Sequence, residues 1–396
     1  SEVIAGVIRE HVTGIYNVVC KENQTLTEIV ADLNHFYHKQ SKIEFLTEKP
    51  DIIERVFQCD ESIYEQTGVA VPKGIITGHS SVEMTKKNDY LQLLKFIACI
   101  LITNSHCMYP ETMFSIAGAS SIFQIGGGWG NAIFFAVSGF LISGKRDSIG
   151  KWMKKRYIRI LPITVVMGLI WYCLDGLNGN LITFLCTCFW FVSAMMIYYP
   201  FFYLFDRIDH GYEKGFAFWG IGYIAYYLAR YEATFFVEEA AFAWFKIYAF
   251  FGVMLLGGAV KKNIDKVKKV SYMVLLVGVI CSGIIWATEY AAIIFMGKGY
   301  MLQFMITISR MLFAYCILIF AVKLNDDKPM VLGKNNIINY IADSTLEIYL
   351  IQVIAKGIIQ KNIVEPWNMF VFWDVALIGG VIVHRIYNVA IRKTVR

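Results

Sequence analysis

Ten apolar runs decide what this chain can fold into. They lie at approximately 90–109, 129–144, 157–175, 183–205, 215–230, 242–260, 270–292, 300–322, 341–361 and 369–389. A helix rises about 1.5 Å per residue, so a bilayer core of about 30 Å calls for roughly 20 mostly apolar residues. The composition agrees, with 57% hydrophobic and 17% charged residues, where a soluble protein carries about a quarter charged. Mean hydropathy is +0.50. The expectation is an all-α polytopic membrane protein of about ten transmembrane helices, with the lipid bilayer as its solvent.

Loop charge sets the expected orientation. After the second, sixth, eighth and tenth runs come GKRDSIGKWMKKRYIR, KKNIDKVKK, KLNDDKPMVLGK and HRIYNVAIRKTVR, all basic, whereas RYEATFFVEEAA after the fifth is acidic. By the positive-inside rule the even-numbered loops and both termini are cytoplasmic. Residues 1–80 read as a small α+β soluble segment on that side. GIYNVVC and SKIEFLT have strand patterns, and between them TLTEIVADLNHFYHK is an amphipathic helix opening on a Thr25–Glu28 capping box. The polar stretch GHSSVEMTKK supplies a linker, placed at 81–88, and the ten-helix domain fills 89–396. No cleavable signal peptide is expected at the mixed, polar N-terminus. A start at Ser1 reads as a fragment or a processed product.

Other classes fit poorly. The net charge of +6 comes from short loops between apolar runs, a topology signal that does not suggest a nucleic-acid partner. Of the nine cysteines, Cys186 and Cys188 are spaced unlike zinc ligands, and no metal set is expected. The glycines of GGGWGNAIFFAVSGFLIS match neither a phosphate loop nor a dinucleotide fingerprint.

Candidate chemistry begins in LLKFIACILITNSHCMYP. Lys95 and His106 are eleven residues apart, about three turns, so a helix places them on one face and about 16 Å apart along its axis. Ionisable groups in a span usually face a cavity or a partner; otherwise Lys95 snorkels to the interface and His106 packs on a hydrogen bond. Ser138, beside Gly139, reads either as a packing residue or as a direct participant. Arg156 and Arg159 share a face at the entry to the third run, either setting topology or binding phosphate. Arg310 and Glu347 lie inside the eighth and ninth runs and are candidate ion-pair partners, although at different depths. Lys246, Glu289 and Asp374 lie nearer run ends and read as interfacial.

LQLLKFIACILITNSH, GNAIFFAVSGFLIS, KKRYIRILP and FWFVSAMMIYYPFFYLF, in that order, resemble the integral-membrane acyltransferase-3 family, and FFGVMLLGGAVKKN and TLEIYLIQV extend the resemblance over about residues 88–396. It implies ten core helices that move an acyl group, usually acetyl, from a cytoplasmic donor such as acetyl-CoA to a sugar hydroxyl. The family's basic residue and histidine of the first span map onto Lys95 and His106, its Ser-Gly step onto Ser138 and Gly139, its arginines onto Arg156 and Arg159, and its Trp-Phe pair onto Trp190 and Phe191. Many members carry a histidine where this chain has Gln352, and arginine is commoner than lysine at the position of Lys95. Residues 1–80 resemble the C-terminal tail of an extended short-chain dehydrogenase/reductase of the nucleotide-sugar epimerase type, without its glycine-rich turn or its Tyr-x-x-x-Lys pair.

The resemblance implies a membrane O-acyltransferase, an O-acetyltransferase by expectation, acting on a cell-envelope polysaccharide or its precursor in the bacterial inner membrane. Its partners would be acyl-CoA, the sugar acceptor and polysaccharide-biosynthesis proteins, with no bound cofactor. In this reading His106 is catalytic as base or acyl carrier, and Lys95, Arg156 and Arg159 contact the donor. Ser138, Trp190, Arg310 and Glu347 line or support the acyl path. Two rivals stand beside it: a transporter or flippase for a lipid-linked sugar, and a membrane-anchored epimerase whose catalytic half lies upstream.

Overall fold

The architecture is that of a computed structural model, which describes residues 89–109, 124, 126–144, 147–174, 189–230, 244–296, 304–328, 330, 332 and 336–394. They belong to a compact unit, Lys87–Arg396. The strand–helix–strand reading of residues 1–80, the reductase-like resemblance there and the linker at 81–88 lie outside the described residues.

Among the described residues the secondary structure is helical and contains no strand. The helices are α1 (Asp89–His106), α2 (Gly127–Ile142), α3 (Ile149–Leu174), α4 (Trp190–Arg207), α5 (Gly211–Arg230), α6 (Trp244–Lys262) and the short α7 (Ile264–Val267). They continue as α8 (Tyr272–Met296), α9 (Phe304–Asp327), α10 (Ile337–Asp343), α11 (Thr345–Asn362), α12 (Trp367–Asp374) and α13 (Gly380–Thr394), the last two joined through a π-helical turn, Val375–Gly379. Within the described residues, each apolar run of the sequence falls on one of these helices or on a broken pair.

Among the described residues, length and apolarity qualify five helical segments to cross a membrane: α3, α6, α8 (through Glu289), α9 and the α12–α13 segment. A sixth is the pair α10–α11, bent by 74°. The sequence led us to expect about ten. The shortfall has physical causes. At 16 residues α2 is only about 24 Å long. In α1, Asp89, Gln92, Lys95, Asn104 and His106 interrupt the apolar run, and α4 and α5 are rich in tyrosine and tryptophan, whose polar tips lower hydropathy without preventing burial.

The core lies where α2 meets α1, α6 and α9. Small residues make this contact close: a side chain at Gly139 would strike the Met254 carbonyl, and one at Gly257 the Ala136 carbonyl. Missing side chains are what let two helix backbones approach in lipid. Outer helices turn aliphatic side chains outward, among them Val166 and Ile170 of α3, Ile221 and Leu228 of α5, Met273 and Ile280 of α8, and Ile382 and Ile386 of α13. Water does not tolerate such a belt; hydrocarbon does.

Contacts between helix termini define two ends. At one, Tyr90 donates to the Lys328 carbonyl, Tyr272 to Asp327, Ser143 and Tyr212 to Asp206, and Arg207 to the Asp147 carbonyl. At the other, Gly127 abuts Ser105, Gly128 abuts Arg310 and Gly357 abuts Trp171. The first gathers Lys155, Arg207, Lys261, Lys268, Lys323 and Lys328 and is termed the basic end below.

Candidate active site

Helix α1 runs between the two ends and carries the residues that matter at each. Lys95 lies toward the basic end, with its Nζ 3.6 Å from Asp343 Oδ1. The same oxygen accepts a hydrogen bond of 3.0 Å from Gln92 Nε2. Asp343 is the last residue of α10, immediately before the bend into α11. At that bend Ser344 Oγ donates to the Tyr340 carbonyl and Thr345 Oγ1 to the Ala342 carbonyl, local side-chain-to-backbone bonds of the kind that accompany helix bending. The lysine is thereby tethered beside a helix break.

Arg156 is built into the same end. Its guanidinium carbon stands 3.5 Å from the Trp152 ring centroid, and Nη1 donates to the Trp152 carbonyl at 2.9 Å. Trp152 is fully buried against Tyr199 and Tyr203. A planar cation suits such a stack, where an ammonium does not. Arg159, one turn on, is exposed, and both arginines act electrostatically on the buried Tyr199.

Glu347 does not meet Arg310. Its Oε1 lies 3.0 Å from His384 Nδ1 on α13, and the other ring nitrogen faces Asn388 Nδ2 at 2.8 Å. Glu347 sits in the first turn of α11, near the basic end, whereas Arg310 sits two turns into α9 at the opposite end. Their residue numbers had left the depth mismatch open; the packing separates them.

His106 closes α1 at the end opposite the basic one. Two ammonium groups, from Lys356 on α11 and Lys246 on α6, act electrostatically on its ring. Lys246 Nζ also stands 4.6 Å over the Trp190 ring. Trp190 packs on Phe250 at 5.8 Å and on Phe135 at 6.3 Å between centroids, and the Arg310 guanidinium carbon lies 5.9 Å from Phe250. The glycine-rich turn makes this convergence possible. Gly126 caps α2 at φ +121°, a conformation open to glycine, while bare Gly127 and Gly128 leave room for Ser105 and for the Arg310 guanidinium.

Ser138 is half-buried on α2 beside Gly139, whose role is the close contact with α6. Among the described residues no group of three His, Cys, Asp or Glu side chains is placed to hold a metal ion.

Sequence reasoning thus located the two ends of α1 but missed Lys356 and His384 altogether and assigned Lys246 to the interface. Lys246, Lys356 and His384 lie on helices far from α1 in sequence, and nothing in local pattern tells which helix each of them faces. The one available signal was spacing: Gln352 and Lys356, four apart, share a face of α11.

The geometry is that of a helical bundle with cations at both ends, His106 at one end and His384 toward the other. Comparison with known families adds what geometry alone does not. The acyltransferase-3 family, described as an acyltransferase domain, matches residues 88–384. No curated protein and no solved structure matches the chain significantly. The match stops short of residues 1–87 and spans α1 to α13, including both ends of the Lys95–His106 face. A lipid-facing helical bundle carrying that match is an enzyme that transfers acyl groups other than aminoacyl groups, and the chain belongs to the acyltransferase-3 family.

Proposed function

We propose that the protein is an O-acetyltransferase of the bacterial inner membrane. It takes an acetyl group from acetyl-CoA on the cytoplasmic side and delivers it to a sugar hydroxyl of an envelope polysaccharide or its precursor. The observation that carries this reading is the single face of α1, which holds a tethered lysine toward the basic end and a histidine flanked by cations at the other. In this reading all ten apolar runs cross the membrane and both termini are cytoplasmic, because a loop rich in lysine and arginine stays inside.

The donor's phosphates need cations where it enters. Lys95, Arg156 and Arg159 are at the basic end, where cationic side chains can make charge-assisted hydrogen bonds to phosphate oxygens. The pantetheine arm then lies along α1 and carries the thioester toward His106. A sugar hydroxyl is a poor nucleophile until a base removes its proton, and imidazole is the side chain whose ordinary pKa suits that task. Trp190 offers a flat apolar face of the kind sugars stack on, while Lys246, Lys356 and Arg310 surround the developing negative charge.

The experiment compares envelope polysaccharide by mass spectrometry from cells expressing the wild-type chain, His106→Ala, or no chain. We expect the mass of one acetyl group to be lost in the latter two, with His106→Ala still found in the membrane in wild-type amount. Acetylation retained by His106→Ala refutes the assignment of the base.

A further inference from the structure

Between the two ends of α1 lies a cavity of about 20 Å³, lined by Cys99, Ile102 and Thr103 of α1, Phe191 of α4, and Tyr349 and Gln352 of α11, among others. Its volume is that of about one water molecule. Gln352 is fully buried, and neither its amide nitrogen nor its amide oxygen meets a hydrogen-bonding partner in the protein. A buried, unmet amide is costly, and protein interiors rarely keep one without a use.

Depth along the helices gives that use. Thr103 precedes His106 by three residues, about 4.5 Å of rise, and Gln352 precedes Lys356 by four, about 6 Å. Lys356 is one of the two cations that act on His106. The Gln352 side of the cavity therefore lies about one helical turn from the His106 ring toward the basic end. If a ring nitrogen hydrogen-bonds a sugar hydroxyl, and that oxygen attacks a carbonyl carbon at near-attack distance, the carbonyl sits about 5–6 Å from the ring. That distance leads to this cavity.

Resting on the acyl-transfer reading above, we propose that Gln352 is a catalytic residue whose amide N–H₂ donates to the carbonyl oxygen of the donor thioester. In the step it assists, the hydroxyl proton passes to His106 and the hydroxyl oxygen bonds to the carbonyl carbon, whose oxygen takes up negative charge against Gln352. That charge then returns, the carbon–sulfur bond breaks, and the departing thiolate takes the proton back from His106. An ester and free coenzyme A result. Cys99 and Ile102 limit the space beside the carbonyl, which suits an acyl group as small as acetyl.

The test uses the purified full chain in lipid nanodiscs, acetyl-CoA labelled with carbon-13 at the carbonyl, a soluble glycoside as the acceptor hydroxyl, and the variants Gln352→Met and Gln352→His. Donor turnover is read as coenzyme A release, and carbonyl polarisation as the infrared stretch of the labelled group. We expect the wild type to move the bound carbonyl band to lower wavenumber. Gln352→Met should abolish that movement and lower kcat about 10²–10³-fold, as removal of an oxyanion donor does, while coenzyme A binds with unchanged affinity. Gln352→His, which keeps an N–H in reach, should recover part of both. An unmoved band in the wild type, or Gln352→Met turning over within threefold of wild type, overturns the proposal. A wild-type chain that neither binds nor turns over acetyl-CoA removes the donor assignment itself, and this proposal with it. An active wild type with an indifferent Gln352→Met removes only the role of Gln352.

Discussion

Replacing His384 by leucine isolates what the Glu347–His384 contact does. The pair joins α11 to α13 at 3.0 Å, with the side chains 5% and 17% exposed. Glu347 Oε2 is buried and has no hydrogen-bonding partner. Loss of the imidazole therefore strands a carboxylate that has no second contact to fall back on. Removing one member of a buried pair costs about 3–5 kcal/mol, because the survivor stays desolvated and uncompensated. At about 1.4 kcal/mol per decade, that lowers the folding equilibrium by roughly two to three and a half decades. Removing both members has a different outcome: Glu347→Leu with His384→Leu replaces two buried polar side chains by apolar groups, and such exchanges are often neutral or stabilising. The assay is reversible denaturant unfolding of the full chain in micelles for the wild type, both single variants and the double variant. A double variant as unstable as His384→Leu, or a His384→Leu loss below about 1 kcal/mol, refutes the argument, since either result gives too little coupling for a buried pair.

Two further outcomes follow from the packing. Gly139→Val should destabilise the α2–α6 contact by about 1–3 kcal/mol, or break it, because its side chain meets the Met254 carbonyl and backbone cannot retreat like a flexible side chain; Gly283→Val, with open space around it, should melt like wild type in a micelle-based thermal assay. Arg156→Lys should weaken both stability, by about 0.5–2 kcal/mol through loss of the stack on Trp152, and coenzyme A affinity by calorimetry, whereas Arg159→Lys at an exposed position should change affinity alone.

Part of this molecule was written in local pattern. Apolar runs predict helices because a backbone in a dry environment must satisfy its own polar groups, and the described part of every run is helical or a broken helix pair. The shared face of Lys95 and His106 follows from 3.6 residues per turn and needs no tertiary information. The span count was less legible: hydropathy alone does not tell α1 and α5, interrupted by polar or tyrosine-rich positions, from segments that merely pack inside.

What only the tertiary structure decided is which faces meet. Periodicity says where a side chain points on its own helix, not which helix lies opposite. Lys246, Lys356 and Trp190 come from three helices spread along the chain, and they meet near His106 because glycines in α2 admit α1 and Arg310 so closely. Glu347 finds His384, and not Arg310, because depth along α11 matches α13 at the basic end. Gln352 read in sequence as a departure from a family histidine; packing turned it into a buried amide facing a cavity. Local interactions fixed the helices and their faces, whereas the pairing of faces, and with it the site, arose from contacts between residues far apart in sequence, such as Gln92 and Asp343 at a separation of 251.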